Sequence, residues 1–567
     1  VVTLAEAPNE SSAVSGYVLP IHHAFESWGD HKTRTGLCSF QQPVISPLYN
    51  TRQKESILQM WTAGNPDGYK DPMYHEYIMD RWEKEVFPSL KLKVDFKSFW
   101  LSSLHDGVMT FNESPTLPAR VKSDAASMIS TAAPSDGFVL YLHDSYFIGD
   151  GRFANNGWLQ EMPHVASKVT WDNYASLSPS TAKELQVKEG DMVRVTVENR
   201  SLSLPVHVQP GLAEKFVSVM LGYGRTVIGT VGAGAGFNAT LLMSKSSRFS
   251  PWLYPDVQVA KTGETYLLAS TEEHHAVDDS FLKDAHKIRE IVQEGTVVQY
   301  IEDPKFIERE RYNSTIVPKV KYEGVKWAMA IDLNKCTGCN VCTIACTVEN
   351  NVPIVGKVQV DKGRDMAWIR IDRYFSGTPE NPSVSNQPML CQQCDNAPCE
   401  NVCPVSATSH SPDGLNQMAY NRCVGTKYCA NNCPYKVRRF NFINFRDDFD
   451  DAYQYEEPLN MAYNPEVTVR SRGVMEKCTF CIQRIMEARQ HAIEQNRPLK
   501  GSDVVTACQQ ACPAEAIIFG DMNDKDSTVS KYRNHEIGYR VLEEINVGPN
   551  ITYIAKLRNV TSQMEKS

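Results

Sequence analysis

The sequence predicts a multidomain α+β protein whose two halves are built differently. Of its 16 cysteines, 15 lie between Cys336 and Cys512, and Cys38 is alone in the first 335 residues. The N-terminal half shows amphipathic helical patterns and then short alternating strands. A chain of 567 residues, 42% hydrophobic and 22% charged, is typical of a globular protein with several domains of roughly 100 to 200 residues each.

We expect an α/β region over residues 1–130. The helical spacing of apolar residues predicts a short helix over residues 55–64 and a longer one over residues 74–87. The polar residues of this region could mimic metal ligands, but their spacing favours a structural hydrogen-bond network. They are His22, His23, Glu26 and Asp30. Cys38 is predicted to be a buried small apolar residue.

A β-barrel is predicted over residues 131–275. Short alternating segments separated by Gly, Pro and Asn indicate its strands. These segments are residues 138–143, 191–199, 201–209, 216–221 and 264–270. Between them, residues 178–191 read as a short helix followed by a turn, and Ser180 is its predicted N-cap.

The remaining chain divides into a linker, a cysteine-rich region and a tail. We expect a linker over residues 276–320 with a helix over residues 280–295, then the cysteine-rich domain over 321–520, which begins with a strand over 326–333. A C-terminal tail over 521–567 is expected to pack back on the body.

Charge argues against a nucleic-acid partner, and hydropathy argues against a membrane-spanning helix. The formal charge of −9 argues against nucleic acid as the main partner. No stretch has the roughly 20 apolar residues of a membrane-spanning helix. The first residues show neither an initiator Met nor a signal peptide, so we expect a processed chain or a piece of a longer one.

The cysteines form four groups with related spacings. In every group the last cysteine follows the one before it after three other residues, and in three groups proline comes next. The groups are Cys336, Cys339, Cys342 and Cys346; Cys391, Cys394, Cys399 and Cys403; Cys423, Cys429 and Cys433; and Cys478, Cys481, Cys508 and Cys512.

This spacing is typical of iron–sulfur clusters. Three thiolates close together in sequence can reach three iron atoms of one cubane, and a last cysteine before proline can reach a second cluster, so paired groups exchange their fourth ligands. A disulfide framework fits an odd number of cysteines in a large chain poorly. Zinc ribbons use pairs of C-x2-C, often with histidine. The sequence therefore predicts iron–sulfur clusters.

The third group lacks one thiolate. Four cubanes need 16 thiolate ligands, and this region supplies 15, with Thr426 at the position of the missing cysteine. A hydroxyl is a hard ligand that holds iron poorly compared with a thiolate. We therefore predict three 4Fe-4S clusters and one 3Fe-4S cluster. The alternative is a cubane whose fourth iron keeps water or another side chain.

At these four groups the chain resembles the four-cluster, double ferredoxin-like iron–sulfur subunits of the DMSO reductase, nitrate reductase and polysulfide reductase family. In that family the first and fourth groups share two clusters, and the second and third share the other two. For 4Fe-4S clusters the resemblance implies the ligand sets Cys336, Cys339, Cys342 and Cys512; Cys478, Cys481, Cys508 and Cys346; and Cys391, Cys394, Cys399 and Cys433. For the 3Fe-4S cluster it implies Cys403, Cys423 and Cys429.

The N-terminal half carries a second resemblance. The segments YVLPIHHAFESWGDHKTRTG, NNGWLQEMPHVASKVTWDN and LSPSTAKELQVKEGDMVRV are similar to the later part of a molybdopterin oxidoreductase-like polypeptide, including its C-terminal double-psi β-barrel. Such a module ahead of a four-cluster module resembles the B subunits of alternative complex III, a bacterial quinol-oxidising respiratory complex. The resemblance implies a module without molybdenum, so we identify no molybdenum ligand and expect no molybdopterin.

The resemblance implies an electron-transfer subunit with no catalytic site of its own. Electrons would pass from quinol, at an integral membrane subunit of the polysulfide reductase type, through the four clusters to c-type cytochrome subunits or another acceptor. A terminal oxidase is a further expected partner. The chain would lie peripherally on the periplasmic face of a bacterial inner membrane, with no transmembrane helix of its own.

Two other functions stay open at this point. One is a catalytic molybdopterin oxidoreductase of the polysulfide or DMSO reductase type, which stoichiometric molybdenum would reveal. The other is the iron–sulfur subunit of a periplasmic hydrogenase, which leaves residues 1–300 unexplained.

Overall fold

The computed structural model describes residues 1–65, 67–111, 120, 122–124, 136–244, 250–271, 291–308, 320–445 and 459–559. Two compact units divide the chain. The first comprises residues 1–134 and 225–233, and the second comprises residues 135–224 and 234–567. Residues 280–290 of the helix predicted over residues 280–295 lie outside the described residues, and its end, from residue 294, is part of strand Glu294–Thr296.

The first unit combines helices with small sheets. Gly29–Arg34, Leu37–Gln41 and Val108–Thr110 form an antiparallel sheet, and Val2–Ala5 pairs in parallel with Tyr17–Pro20. The helical segments are Glu10–Ala13, Ala24–Glu26, Lys54–Thr62, Met73–Arg81, the π-helix Trp82–Val86, Phe87–Leu90 and Phe96–Asp106. Both predicted helices are present. The apolar face of the second one packs with helix Phe96–Asp106 in a core around Ile78, Trp82, Phe99 and Trp100.

The second unit begins with a closed six-stranded barrel, which confirms the predicted barrel. Around the barrel the strands follow the order Phe216–Met220, Phe138–His143, Leu253–Thr265, Asp191–Val197, Arg200–Val208 and Ala175–Leu177. Alternate side chains such as Leu140, Leu142, Val193 and Val195 fill the interior, as the period-2 pattern predicts. Short helical segments lie between the strands at Gly157–Gln160, Pro179–Glu184 and Ala239–Leu242.

One barrel strand differs from the prediction. Of the strand predicted over residues 264–270, only Glu264 and Thr265 lie in a strand, at the end of the long strand Leu253–Thr265. Its pairing shifts register between Tyr254 and Val257, where Asp256 has a positive φ of 57°. Because most of its side chains are exposed, the alternation that reveals a strand in sequence is absent.

The N-cap of helix Pro179–Glu184 is Ser178, and the prediction of Ser180 was wrong. The Ser178 hydroxyl accepts a hydrogen bond from Thr181 N at 3.1 Å, and Pro179 occupies the first helical turn, where its missing N–H costs nothing. We expect Ser178→Ala to lower the free energy of unfolding by about 1 kcal/mol in urea titrations. Ser180→Ala is the control, and an equal loss in both variants would contradict the assignment.

The cysteine-rich part of the second unit is built on a four-stranded sheet. Its strand order is Ile517–Asp521, Trp327–Asp332, Ile551–Ile554 and Gly538–Tyr539. Three further antiparallel pairs lie outside this sheet: Arg370–Gly377 with Pro382–Met389, Thr408–His410 with Asn416–Met418, and Arg439–Phe440 with Met475–Glu476. Strand Glu294–Thr296 pairs in parallel with Lys556–Arg558. Residues of the predicted tail thus contribute strands to this region.

Short helices carry or follow several of the cysteines. The helices are Val297–Glu302, Val341–Glu349, Lys357–Asp361, Pro398–Asn401, Tyr428–Asn432, Ile482–Glu494, Ala507–Gln510 and Thr528–Arg533. Single 3-10 turns occur at Tyr420–Arg422, Leu459–Ala462, Gly501–Asp503 and Glu543–Ile545. Val341–Glu349 packs against Ala507–Gln510, and Pro398–Asn401 packs against Tyr428–Asn432. The same arrangement therefore occurs twice, as expected of a ferredoxin-like repeat.

Strand Trp327–Asp332 is buried on both faces. Trp327 and Met329 belong to the main core of the cysteine-rich region, and the Trp327 ring stacks on Phe519 with centroids 5.0 Å apart. Ala328 and Ala330 face the other way and pack with Val529. Small residues on that face let a helix approach the sheet. Among the described residues, no helix is both long and apolar enough to span a membrane.

Candidate metal centres

The structure brings the 15 clustered cysteines together in four sets, which we call sites I to IV. Three of these sets line small cavities. Site I comprises Cys336, Cys339, Cys342 and Cys512 around a cavity of about 20 Å³. Site III comprises Cys391, Cys394, Cys399 and Cys433 around a cavity of about 20 Å³. Site IV comprises Cys403, Cys423 and Cys429 around a cavity of about 10 Å³.

Site II comprises Cys346, Cys478, Cys481 and Cys508, which are mutual electrostatic neighbours. Burial and then the charges of the other three cysteines raise the pKa of Cys346 well above its usual value. Asn350 lies beside this set, with its amide nitrogen 3.5 Å from Cys346 Sγ. The grouping of all four sites matches the ligand sets that the family resemblance implies.

Backbone N–H groups point at several cysteine sulfurs. After each of the Cys-Pro pairs at Cys403 and Cys512, the chain turns so that the amide four residues later donates back to Sγ. The Ala407 N to Cys403 Sγ distance is 3.1 Å, and the Ala516 N to Cys512 Sγ distance is 3.3 Å. N–H groups on sulfur are the contacts that tune iron–sulfur centres. The repeated geometry follows from the repeated Cys-Pro spacing.

Burial disfavours the thiolate form of most of these cysteines unless a cation lies nearby. Burial is the main cause that raises the pKa of Cys342 and of Cys394 well above the usual value, and neighbouring cysteines raise it further. Cys403 differs, because N–H groups of Val405, Ala407 and Thr408 outweigh the effect of burial and lower its pKa. Iron binds the thiolate and displaces the proton, so a buried set of this kind favours a positively charged metal group. The donor set fits iron–sulfur clusters.

Thr426 lies at site IV and lines its cavity together with the three cysteines. The preceding Gly425 has a positive φ of 69°, and a Cβ there would collide with the carbonyl oxygen of Gly473. The loop therefore runs close to a neighbouring strand end and presents the side chain at position 426 to the cavity. A threonine thus stands beside the site where the other groups have a cysteine.

The barrel contacts the cysteine-rich region through the half-buried residue Glu161. Both oxygens of Glu161 accept hydrogen bonds from backbone N–H groups, from Val355 N at 3.0 Å and 3.1 Å and from Gly356 N at 2.7 Å. Glu161 and Thr343 line a cavity of about 50 Å³ between the two parts. Burial raises the pKa of Glu161 to about 7 although these N–H donors oppose it.

The raised pKa of Glu161 makes stability depend on pH. Between its ordinary pKa of 4.5 and about 7, the folded protein holds a proton that the unfolded chain releases. Stability from this group is therefore present at low pH and is lost as pH rises through that window. We expect the difference in unfolding free energy between wild type and Glu161→Gln, measured in urea, to change across this window. A constant difference would contradict the prediction.

The four polar residues of the N-terminal region form hydrogen bonds within the first unit, as predicted. His22 Nδ1 lies 2.6 Å from Thr51 Oγ1, and Trp82 Nε1 donates to Asp30 at 2.7 Å. His23 and Glu26 form a capping box at the 3-10 turn Ala24–Glu26. In the described part of the chain, no group of three His, Cys, Asp or Glu side chains could hold a single metal ion.

Cys38 is less buried than predicted. It is only partly buried on strand Leu37–Gln41, where it packs against the aromatic core of the first unit.

Sequence reasoning missed three buried polar residues beside the cysteine sites. They are Asn350, Asn416 and Lys477, all at most 2% exposed. Lys477 directly precedes Cys478, which was the available signal in the sequence. The sequence carried no signal for Asn416, because its hydrogen-bond partners lie up to 61 residues away along the chain.

Comparison with protein families agrees with the geometry of the sites. Two family models match, both described as a 4Fe-4S dicluster domain, over residues 335–407 and 383–444. Together these matches cover the first three cysteine groups.

Curated relatives match less than half of this chain but most of their own length. The iron–sulfur cluster-binding subunit of menaquinone reductase from Nitratidesulfovibrio vulgaris is 37% identical over 237 residues, 41% of this chain and 89% of that protein. The Hdr-like menaquinol oxidoreductase iron–sulfur subunit 1 of Archaeoglobus fulgidus is 32% identical over 277 residues, 46% of this chain and 88% of that protein. The B polypeptide of polysulfide reductase from Wolinella succinogenes is 28% identical over 235 residues, 41% of this chain and 96% of that protein.

A solved structure, acetylene hydratase from Pelobacter acetylenicus, aligns with 46% of this chain and 40% of its own chain. The TM-score is 0.32 at 12% sequence identity.

Proposed function

We propose an electron-transfer role from one premise: the chain belongs to the family of iron–sulfur subunits of menaquinol, polysulfide and dimethyl sulfoxide-type reductases. The observation that carries the proposal is the gathering of 15 cysteines into four sites, with most of these cysteines in or against one core. In finer terms, the chain is an iron–sulfur subunit of a quinol-oxidising complex of the alternative complex III type. The resemblance of the segments ahead of the cysteines to a molybdopterin oxidoreductase-like polypeptide supports this choice.

The proposed ligands are the four sets described above. Sites I, II and III hold 4Fe-4S clusters with four thiolates each, and site IV holds a 3Fe-4S cluster with three. Such clusters supply reversible one-electron chemistry when bound. The cavities at sites I, III and IV and the N–H donors to sulfur support the assignment.

The neighbours of the cysteines support one linear order of the sites. After burial, the charge of Cys508 is the largest cause that raises the pKa of Cys342, which links sites I and II. Burial and the charges of Cys508 and Cys391 raise the pKa of Cys478, which links sites II and III. Arg438 lies within electrostatic range of both Cys399 and Cys429, which links sites III and IV. An order I–II–III–IV carries electrons across the module.

Site IV is proposed as the end that meets the membrane subunit and its quinol. Val424 and Tyr428 flank this site and are 63% and 54% exposed. Beside them the Lys427 ammonium lies 4.3 Å from the centre of the Phe440 ring and 4.5 Å from that of Phe442. An exposed patch of apolar and basic residues suits docking to a protein partner. The other end would deliver electrons to c-type cytochrome subunits, a terminal oxidase or another acceptor.

The N-terminal regions are proposed to act without molybdopterin. Polar residues of the molybdopterin-like segment bond to the chain's own groups. Asp172 pairs with Lys357 at 2.7 Å and accepts a hydrogen bond from the Tyr266 hydroxyl at 2.9 Å. Asn173 donates to the carbonyls of Met220 and Phe237. These contacts support a barrel fixed to the cysteine-rich module. From the family resemblance we propose that the chain lies at the periplasmic face of the inner membrane.

The proposed domain division keeps the boundaries expected from sequence. Residues 1–130 form the partial molybdopterin oxidoreductase-like region, 131–275 the barrel, 276–320 the linker, 321–520 the four-cluster domain and 521–567 the tail. Limited proteolysis with mass mapping would test whether cleavage concentrates in residues 276–320.

Redox-poised EPR of the intact complex, with iron and molybdenum quantitation, tests the function. We expect signals of one three-iron and three four-iron clusters, all reducible by a quinol analogue, and no stoichiometric molybdenum. Molybdenum near one atom per chain would instead favour a catalytic molybdopterin oxidoreductase. Clusters that no quinol analogue reduces would contradict the quinol-oxidising role.

A further inference from the structure

Two basic side chains are buried in the core of the cysteine-rich module. Lys477 is 0% exposed and Arg438 is 6% exposed. Burying a charge is expensive unless an opposite charge lies nearby. Within the described part of the chain, neither side chain forms an ion pair with a carboxylate; the partners found for both are hydrogen-bond acceptors without charge.

Neutral oxygens accept hydrogen bonds from both cations. Lys477 Nζ donates to the carbonyl oxygens of Asn416 and, at 3.0 Å, of Cys478. Arg438 donates to Thr408 Oγ1 at 3.3 Å and to Asn416 Oδ1 at 3.1 Å. Asn416 therefore holds both cations, one with its backbone and one with its side chain.

Both positive charges act on site III. Arg438 and Asn416 line its cavity, and Asn416 Oδ1 lies 4.0 Å from Cys399 Sγ. Burial raises the pKa of Cys399 to about 11, while the charges of Arg438 and Lys477 act in the opposite direction. The protein thus concentrates two fixed positive charges at one of its four sites.

The two cations also lie on different sides of that site. Lys477 adjoins Cys478 of site II, and Arg438 lies near Cys429 of site IV. In the proposed order of sites, Lys477 therefore lies between sites II and III, and Arg438 lies between sites III and IV.

We propose that Lys477 and Arg438 are positioning residues that raise the reduction potential of the group held at site III, making it a preferred resting place for an electron between sites II and IV. Reduction adds one negative charge, and a buried cation stabilises that charge far more than a surface cation, because the interior screens it less. The proposal deepens the electron-transfer function and rests on the assignment of a 4Fe-4S cluster to site III.

The test is redox-poised EPR on the intact complex carrying Lys477→Met or Arg438→Gln. Each variant removes one charge and keeps most of the side-chain length. We expect the reduction equilibrium of the site III cluster to shift at least tenfold toward the oxidised form, a midpoint potential lower by about 59 mV for a one-electron couple. A Cys399→Ser variant identifies which signal belongs to site III.

The matched control is Lys436→Met. Lys436 is exposed, lies two residues before Arg438 and donates to the Asn431 carbonyl at 2.7 Å. Its loss should leave every midpoint potential unchanged. Arg438→Lys keeps the charge and should keep the wild-type potential even if a neutral variant fails to load iron.

Three results would overturn the proposal: unchanged potentials in iron-loaded Lys477→Met and Arg438→Gln, an equal shift in Lys436→Met, or a shift in Arg438→Lys as large as in Arg438→Gln. A wild-type complex without a cluster that responds to Cys399→Ser would refute the site III assignment instead. The two failures are therefore distinguishable.

Discussion

Replacing Arg470 by alanine is expected to lower the free energy of unfolding of the iron-loaded protein by about 3–5 kcal/mol, because it leaves a buried carboxylate without its cation. Arg470 and Glu476 are both 0% exposed, and their closest N–O distance is 2.7 Å. Trp368 Nε1 and Asn441 Nδ2 also donate to Glu476 but carry no charge.

The loss extends beyond the ion pair. Arg470 donates to the carbonyl oxygens of Asn350 and Asn351 at 2.7 Å and 2.9 Å, and Asn350 lies beside Cys346 of site II. Removing the guanidinium leaves these buried acceptors unsatisfied, which adds to the cost.

Urea unfolding of Arg470→Ala, of Arg470→Met with Glu476→Leu and of Lys305→Ala measures this effect. The double variant should recover part of the lost stability, since it removes both charges. Lys305 forms an exposed pair with Glu308 and should show no resolved change. A single variant as stable as the double variant would contradict the prediction.

Replacing Thr426 by cysteine is expected to change the cluster type at site IV. The new thiolate would stand beside a cavity that Cys403, Cys423 and Cys429 already line. With four thiolates the site should hold a cubane, because a thiolate retains the iron that a hydroxyl does not. The three-iron EPR signal of the oxidised protein should disappear, iron content should rise by one atom per chain, and the midpoint potential should fall.

Thr426→Ser is the control, because it keeps the hydroxyl and removes only a methyl group. It should retain the three-iron signal and the wild-type iron content. If Thr426→Cys keeps both as well, position 426 does not decide the cluster type. If its quinol-driven reduction rate is also unchanged, site IV is not the entry point for electrons.

Local patterns in the sequence predicted the helices and strands whose burial pattern can be read from neighbouring residues in the chain. The strand over residues 326–333 follows from a short apolar run, and Trp327–Asp332 forms it. The barrel follows from strands whose alternate residues are buried. The strand Leu253–Thr265 escaped prediction because its register shift and exposed side chains remove that alternation.

The cysteine spacing predicted the kind of site but not what surrounds it. The sets at sites I to IV follow from the resemblance to known subunits, and the structure gathers the same cysteines. The position of Lys477 at site III could not be predicted, because Lys477 meets Asn416 across 61 residues. Its burial depends on packing between segments that no local pattern relates.

Strand Ile551–Ile554 lies inside the four-stranded sheet, between Trp327–Asp332 and Gly538–Tyr539. Strand Trp327–Asp332 is synthesised more than 200 residues earlier. It can therefore pair with Ile551–Ile554 only after residue 554 has left the ribosome. Site II is also completed late in synthesis, because Cys346 gains its partner Cys508 only after residue 508 has been added. Ribosome-bound nascent chains that end before residue 508 lack the fourth thiolate of this set and should hold no four-iron cluster there.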